Sequence, residues 1–223
     1  MADWHVQQGP FDIPDVPDFI PRRLKPYLFI FFVLIIQFSG GVYLAAASDM
    51  VGTKAVMQED ILMAGYASLI GMAINFAMMF RIKFRFSTRN QLLVSGMVLI
   101  AANVICAYTA SVPLLVGTCF VAGWFRMQAT FACNSTIQLW LTPVRDMAIF
   151  FCYVYIIVDS VIQLSGIATI YTAFFSQWEY MHWIMTGMLA LMMLMVMILV
   201  KPVRGPMSVS YTHLRAHETG RNL

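Results

Sequence analysis

The stretch MHWIMTGMLALMMLMVMILV, Met181–Val200, contains no Asp, Glu, Lys or Arg over twenty residues. A helix rising 1.5 Å per residue covers about 30 Å in that length, the thickness of a bilayer's hydrocarbon core. Runs of the same kind precede it at Tyr27–Ala47, Ile61–Phe80, Gln91–Ala110, Val112–Cys133 and Met147–Phe175, the fourth continuing as helix toward Leu141. No strand-like alternation competes with them. The expected fold is an all-α membrane protein with six transmembrane helices.

Composition agrees. The 223 residues are 60% hydrophobic and 11% charged, against about 45–50% and about 25% for soluble domains. A net charge of +3 gives no reason to expect a nucleic-acid partner. Cys106, Cys119, Cys133 and Cys152 all lie in apolar runs without C-x-x-C spacing, and are expected as buried thiols.

Residues 1–26 are acidic and punctuated by proline, and the first apolar run is too long for a signal-peptide core, so they read as an extended cytosolic lead-in. Orientation follows the basic residues. Arg22, Arg23, Lys25, Arg81, Lys83, Arg85, Arg89, Arg145, Lys201 and Arg204 fall on one side of the six spans, and Lys54 alone on the other. Both ends of residues 27–204 are therefore expected in the cytoplasm.

The composition changes after Met207. Val209–Thr219, VSYTHLRAHET, resembles the translation in one frame of a transposase-type sequencing adapter, and Asn222-Leu223 fits that adapter's continuation. Residues 205–223 are expected to be a disordered tail, with 209–223 an adapter artefact excluded from fold reasoning. His213 and His217, spaced like a metal pair, are set aside with it. On this reading the gene continues beyond residue 208, and the chain is the N-terminal piece of a longer protein.

Charge at bilayer depth costs several kcal/mol unless paired or water-lined, and so marks function by default. Two spans carry one: Arg126 in span 4, and Asp159 in span 5. The turn between those spans is short, so an Arg126–Asp159 pair is geometrically reasonable. It serves either to fix helix register or to couple substrate and protons in a central cavity. Gln163 and Gly166 follow Asp159 on one helix face. Gln37, Asn75, Asn103, Gln128, Asn134 and Gln138 are further intramembrane amides, suited to joining helices. Gly65, Gly71, Gly117 and Gly123 permit close helix approach. Met181, Met185, Met188, Met192 and Met195 form a stripe that reads as packing rather than copper binding. The sequon Asn134–Thr136 lies in or beside span 4 and is read as carrying no glycan. Glu59-Asp60 reads as a solvated helix start. No catalytic constellation, metal site or cofactor motif is present, so no enzyme is expected and no cofactor.

Six spans, a tight span 3–4 hairpin and the basic loop RIKFRFSTRN (Arg81–Asn90) resemble the N-terminal half of a major facilitator superfamily transporter. The strings LTPVRDMAIF (Leu141–Phe150) and WEYMHWIM (Trp178–Met185) are most similar to the fourteen-span drug:proton antiporter branch. The family's Asp and Gly in the span 2–3 loop are absent, as is the Gly-Pro motif of span 5, so the chain resembles a divergent member. The resemblance implies a half-bundle of 3+3 inverted repeats, with spans 1, 4 and 5 along the cavity and spans 3 and 6 outside. It implies proton-coupled efflux of small organic compounds across a bacterial inner membrane by alternating access. Arg126, Asp159, Gln163 and Gln37 would line the substrate and proton pathway, and Arg81, Lys83, Arg85 and Arg89 would steady a cytoplasmic gate. The implied partners are the bilayer, the substrate and protons, a C-terminal bundle of the same protein, and a periplasmic adaptor with its outer-membrane channel. The alternative is a complete six-span membrane enzyme or scaffold.

Overall fold

A computed structural model describes residues 16–17, 19–21, 24–39, 47–83, 86–140 and 144–201. The described part is all helical, without a strand. Its elements are α1 (Lys25–Phe38), α2 (Ala47–Lys54), α3 (Gln58–Lys83), α4 (Thr88–Tyr108), α5 (Val112–Trp140), α6 (Val144–Phe175) and α7 (Glu179–Leu199). Five of these, α3 to α7, are long and apolar enough to cross a membrane. They match spans 2 to 6 of the sequence to within a few residues, including the continuation of span 4 past Cys133.

Span 1 is the exception. Its helix α1 has 14 residues, about 21 Å at 1.5 Å each, and residues 40–46 lie outside the described part. Most of the lead-in and all of 205–223 lie outside it as well. Five apolar helices are compatible with a multi-pass membrane protein.

Local chemistry sets the helix starts. Pro26 occupies the first turn of α1, where a missing N–H costs nothing. At α3, the Met57 N–H donates to Asp60 Oδ2 at 3.0 Å, the returning half of a capping box. Glu59 and Asp60 thus form a helix start, as expected. Ser87 caps α4 by accepting from the Asn90 N–H.

The packing is not sequential. α5 lies against α3, α4 and α1, while α6 packs on α1 and α7. Helix α1 is therefore wedged between α5 and α6. Its Phe29, Phe32, Val33, Ile35 and Ile36 are buried in one core with Ala129, Ala132 and Ile137 of α5, Val154 and Val158 of α6, and Leu189, Met192 and Val196 of α7. The methionine stripe of α7 faces inward: Met181, Met185 and Met192 are buried, and Met188 and Met195 pack against the core. It is packing, as its spacing indicated.

Helices α3 and α5 approach each other closely at two glycines. A Cβ at Gly71 would fall 2.2 Å from the Phe120 carbonyl oxygen, and one at Gly123 2.0 Å from that of Ser68. Only glycine lets two backbones meet at that distance. Gly117 has nothing within 4 Å and takes no part.

Candidate functional site

Three interhelical amides form a continuous chain across the bundle. Asn75 Nδ2 donates to Gln128 Oε1 at 3.0 Å, Gln128 Nε2 to Gln91 Oε1 at 2.6 Å, and Gln91 Nε2 to the Phe86 carbonyl at 2.8 Å. All three side chains are buried, so α3, α5 and α4 are joined by polar groups that have no competing water. Nearby, Gln37 Nε2 of α1 donates to Thr130 Oγ1 of α5 at 3.0 Å, and Thr130 Oγ1 donates to the Arg126 carbonyl at 2.9 Å. Gln37 is thus a joint between α1 and α5.

Arg126 is the charged member of this neighbourhood. One Nη donates to Ser68 Oγ at 3.3 Å and lies 3.0 Å from Met72 Sδ, both on α3. These are neutral acceptors, and a thioether is a weak one. Nε of the same guanidinium is buried without a partner. A cavity of about 180 Å³ opens beside it, lined by Leu62, Tyr66, Ser68 and Leu69 of α3, Leu99 and Asn103 of α4, Cys119, Ala122 and Arg126 of α5, and Ser39 after α1. Asn103 is 9% exposed, and its Nδ2 also lacks a partner.

Asp159 does not meet Arg126. It is exposed on α6, as is Gln163, and the Arg126 guanidinium is bonded to α3 instead. The reason lies in which helices pack together and in the face that α6 turns inward. Adjacency along the chain made spans 4 and 5 look like packed neighbours, but α1 intervenes and α6 turns its Asp159 face away from the bundle. Spans 2, 3 and 4 line the cavity, with Ser39 of span 1, and no residue of span 5 is among its lining.

The basic loop is only partly described. Arg81 is exposed at the end of α3, and Arg89 donates to the Met197 carbonyl at 3.2 Å, tying the start of α4 to the end of α7. Arg85 and the side chain of Lys83 lie outside the described residues.

A second polar cluster sits at the opposite end of the bundle. Lys54 Nζ, at the end of α2, donates to the Cys106 carbonyl of α4 and stands 4.9 Å over the Trp178 ring. Trp178 Nε1 donates to Thr53 Oγ1 at 3.0 Å. Burial pushes the Lys54 ammonium below the ordinary lysine value of 10.5, with Glu179 opposing the shift. Met50, Val56, Ile61 and Trp178 bury one another beneath, so α2 is pinned across the ends of α3, α4 and α7.

Sequence reasoning singled out Arg126 but missed Ser68, Met72 and the Lys54–Trp178 contact. Ser68 and Met72 are one helical turn apart on α3, a spacing that offers one face to a neighbour, and Gly71 between them marks where α5 crosses. Asn103, which the sequence suits better to joining helices than to holding a ligand, leaves its Nδ2 without a partner. All four cysteines are unbridged thiols, with Cys106, Cys119 and Cys133 buried and Cys152 exposed. Among the described residues no group of three or more His, Cys, Asp or Glu could hold a metal.

No protein-family model, curated protein or solved structure matches the chain.

Proposed function

We propose that the chain is the N-terminal bundle of a secondary transporter that moves small organic compounds across a bacterial inner membrane by alternating access, driven by protons. One observation carries this reading. Two ionisable side chains lie within helices long and apolar enough to cross a membrane and do not neutralise each other: Arg126 lines a cavity, and Asp159 is exposed on α6. An ionisable group inside a membrane costs about 2.5–3.5 kcal/mol at the helix centre by insertion measurements. A pair retained only for register would cancel that cost, and this one does not.

The arrangement supports a division of labour. Arg126 contacts substrate in the cavity. Asp159, with Gln163 one turn along, lies on the face that a second bundle of the same protein covers, and there it carries the proton. The basic residues Arg81, Lys83, Arg85 and Arg89 lie on the cytoplasmic side, with the N-terminus, and brace the inner gate; the Lys54–Trp178 contact closes the outer one. A periplasmic adaptor and outer-membrane channel complete the route in an exporter of the antiporter branch.

The test has two arms. The genomic reading frame beyond residue 208 should encode six to eight further spans, and an in-frame stop there would sink the two-bundle reading. In the full-length protein, Asp159→Asn should abolish proton-coupled efflux in proteoliposomes while leaving folding intact. Unchanged efflux would remove Asp159 from the mechanism.

A further inference from the structure

We propose that the Arg126 cavity is a binding site for a small organic carboxylate. The hydrogen-bond inventory carries this. A guanidinium keeps its charge and offers five N–H donors in a fixed fork. Here the contacts of Arg126 are a hydroxyl at 3.3 Å and a thioether, both neutral, and no carboxylate among the described residues pairs with it. Its Nε is buried and unpartnered, and so is Asn103 Nδ2 on the facing helix. Both residues line the same cavity. Two buried donors without partners, one of them cationic, thus belong to residues that line one cavity. A buried donor left unsatisfied costs about 1–3 kcal/mol, and more when charged, so the space fits an acceptor with negative charge. A carboxylate supplies two oxygens matched to the guanidinium fork and a lone pair for Asn103.

The remaining walls select among anions. Leu62, Leu69, Leu99 and Ala122 offer no hydrogen bond, and Tyr66 stands at the exposed α3 flank. A fully hydrated inorganic ion gains nothing from such walls, whereas an apolar ring or short chain buries against them. At about 180 Å³ the cavity lies below the roughly 300–1,000 Å³ of sites that enclose drug-sized ligands. Arg126 stands 14 residues beyond the start of α5, about 21 Å along the helix, too deep for the phosphate of a lipid headgroup. The assignment names the substrate class of the proposed transporter and rests on that reading only for its transport arm.

Benzoate is the probe and benzyltrimethylammonium its cationic counterpart, tested on the whole chain in nanodiscs of zwitterionic lipid by equilibrium binding and thermal shift. Saturable benzoate binding that benzyltrimethylammonium does not displace is expected. Arg126→Gln should weaken it by about ten- to hundred-fold, the loss of a charged hydrogen bond. Arg126→Lys should fall between, keeping the charge but not the fork, and Asn103→Leu should weaken benzoate a few-fold. Where Arg126→Gln fails to fold, Asn103→Asp serves, because a carboxylate built into the cavity should occupy the guanidinium and abolish benzoate binding. Absent saturation, undiminished binding in Arg126→Gln or Asn103→Asp, or preference for the cation would each overturn the assignment. In proteoliposomes of the full-length protein, benzoate that binds but is not exchanged defeats the transport reading alone. Exchange indifferent to Arg126→Gln defeats the site alone.

Discussion

Gly71 and Gly123 each face the other's helix backbone, one closing on the Phe120 carbonyl and the other on that of Ser68. The contact is reciprocal, and it sets how close Arg126 on α5 comes to Ser68 and Met72 on α3. A methyl group on either glycine would have to push a backbone away rather than a flexible side chain. Gly71→Ala and Gly123→Ala should each destabilise the bundle by about 1–3 kcal/mol, read as a lowered midpoint of thermal unfolding in detergent. Gly117→Ala, with open space around it, should be neutral or slightly stabilising through helix propensity. Equal effects at all three positions would refute the crossing.

Gln128 holds the middle of the amide chain, so its loss breaks two interhelical bonds at once. Such bonds average about 0.6 kcal/mol in membranes. Gln128→Leu should therefore cost roughly 1–2 kcal/mol, including the amides it orphans. Asn75→Leu, which removes one bond, should cost less. The order of the two unfolding midpoints in the same detergent checks this.

The Lys54 ammonium is held below its ordinary value by burial, which fixes a sign. Between its folded pKa and the unfolded 10.5, the unfolded chain binds the proton and the folded chain does not. Stability contributed at this site therefore rises as pH climbs through that window. Replacing Lys54 by Met should remove the term. The unfolding midpoint of the parent relative to Lys54→Met should increase toward pH 10.5, and a flat difference would refute it.

Cys106 Sγ and Cys119 Sγ are 3.9 Å apart across the α4–α5 hairpin. Iodine oxidation of the folded protein should join them, with loss of two hydrogens in the intact mass and a linked peptide pair after digestion. Cys106→Ser should abolish the link. A bridge to Cys133 or Cys152 instead would contradict the α4–α5 register.

The spans were legible because hydrocarbon thickness imposes a length on the sequence that loops do not share. Met181–Val200 and Gln91–Ala110 differ from α7 and α4 by no more than three residues at either end for that reason. The inward set of α7 methionines was readable from its four- and three-residue steps. What the sequence did not carry was which helices touch. Loop length brings α5 and α6 together along the chain, but α1, distant in sequence, fills the space between them. Arg126 was conspicuous as a charge, yet its partners Ser68 and Met72 are unremarkable in a helix of mixed small and apolar residues. Only the position of Gly71 hinted at the crossing that brings them near.

The wedge formed by α1 also governs how the protein is made. Helix α1 leaves the ribosome before α5, α6 and α7, the helices between which it ends up. Its core-facing Phe29, Phe32, Val33 and Ile36 find the rest of their core only in helices made later. Gln37 likewise has its partner Thr130 93 residues downstream. At about 5–20 residues per second, synthesis takes roughly 5–19 s to deliver that partner. During that interval the Gln37 amide has no Thr130 to donate to, so the joint between α1 and α5 closes only once α5 has been made.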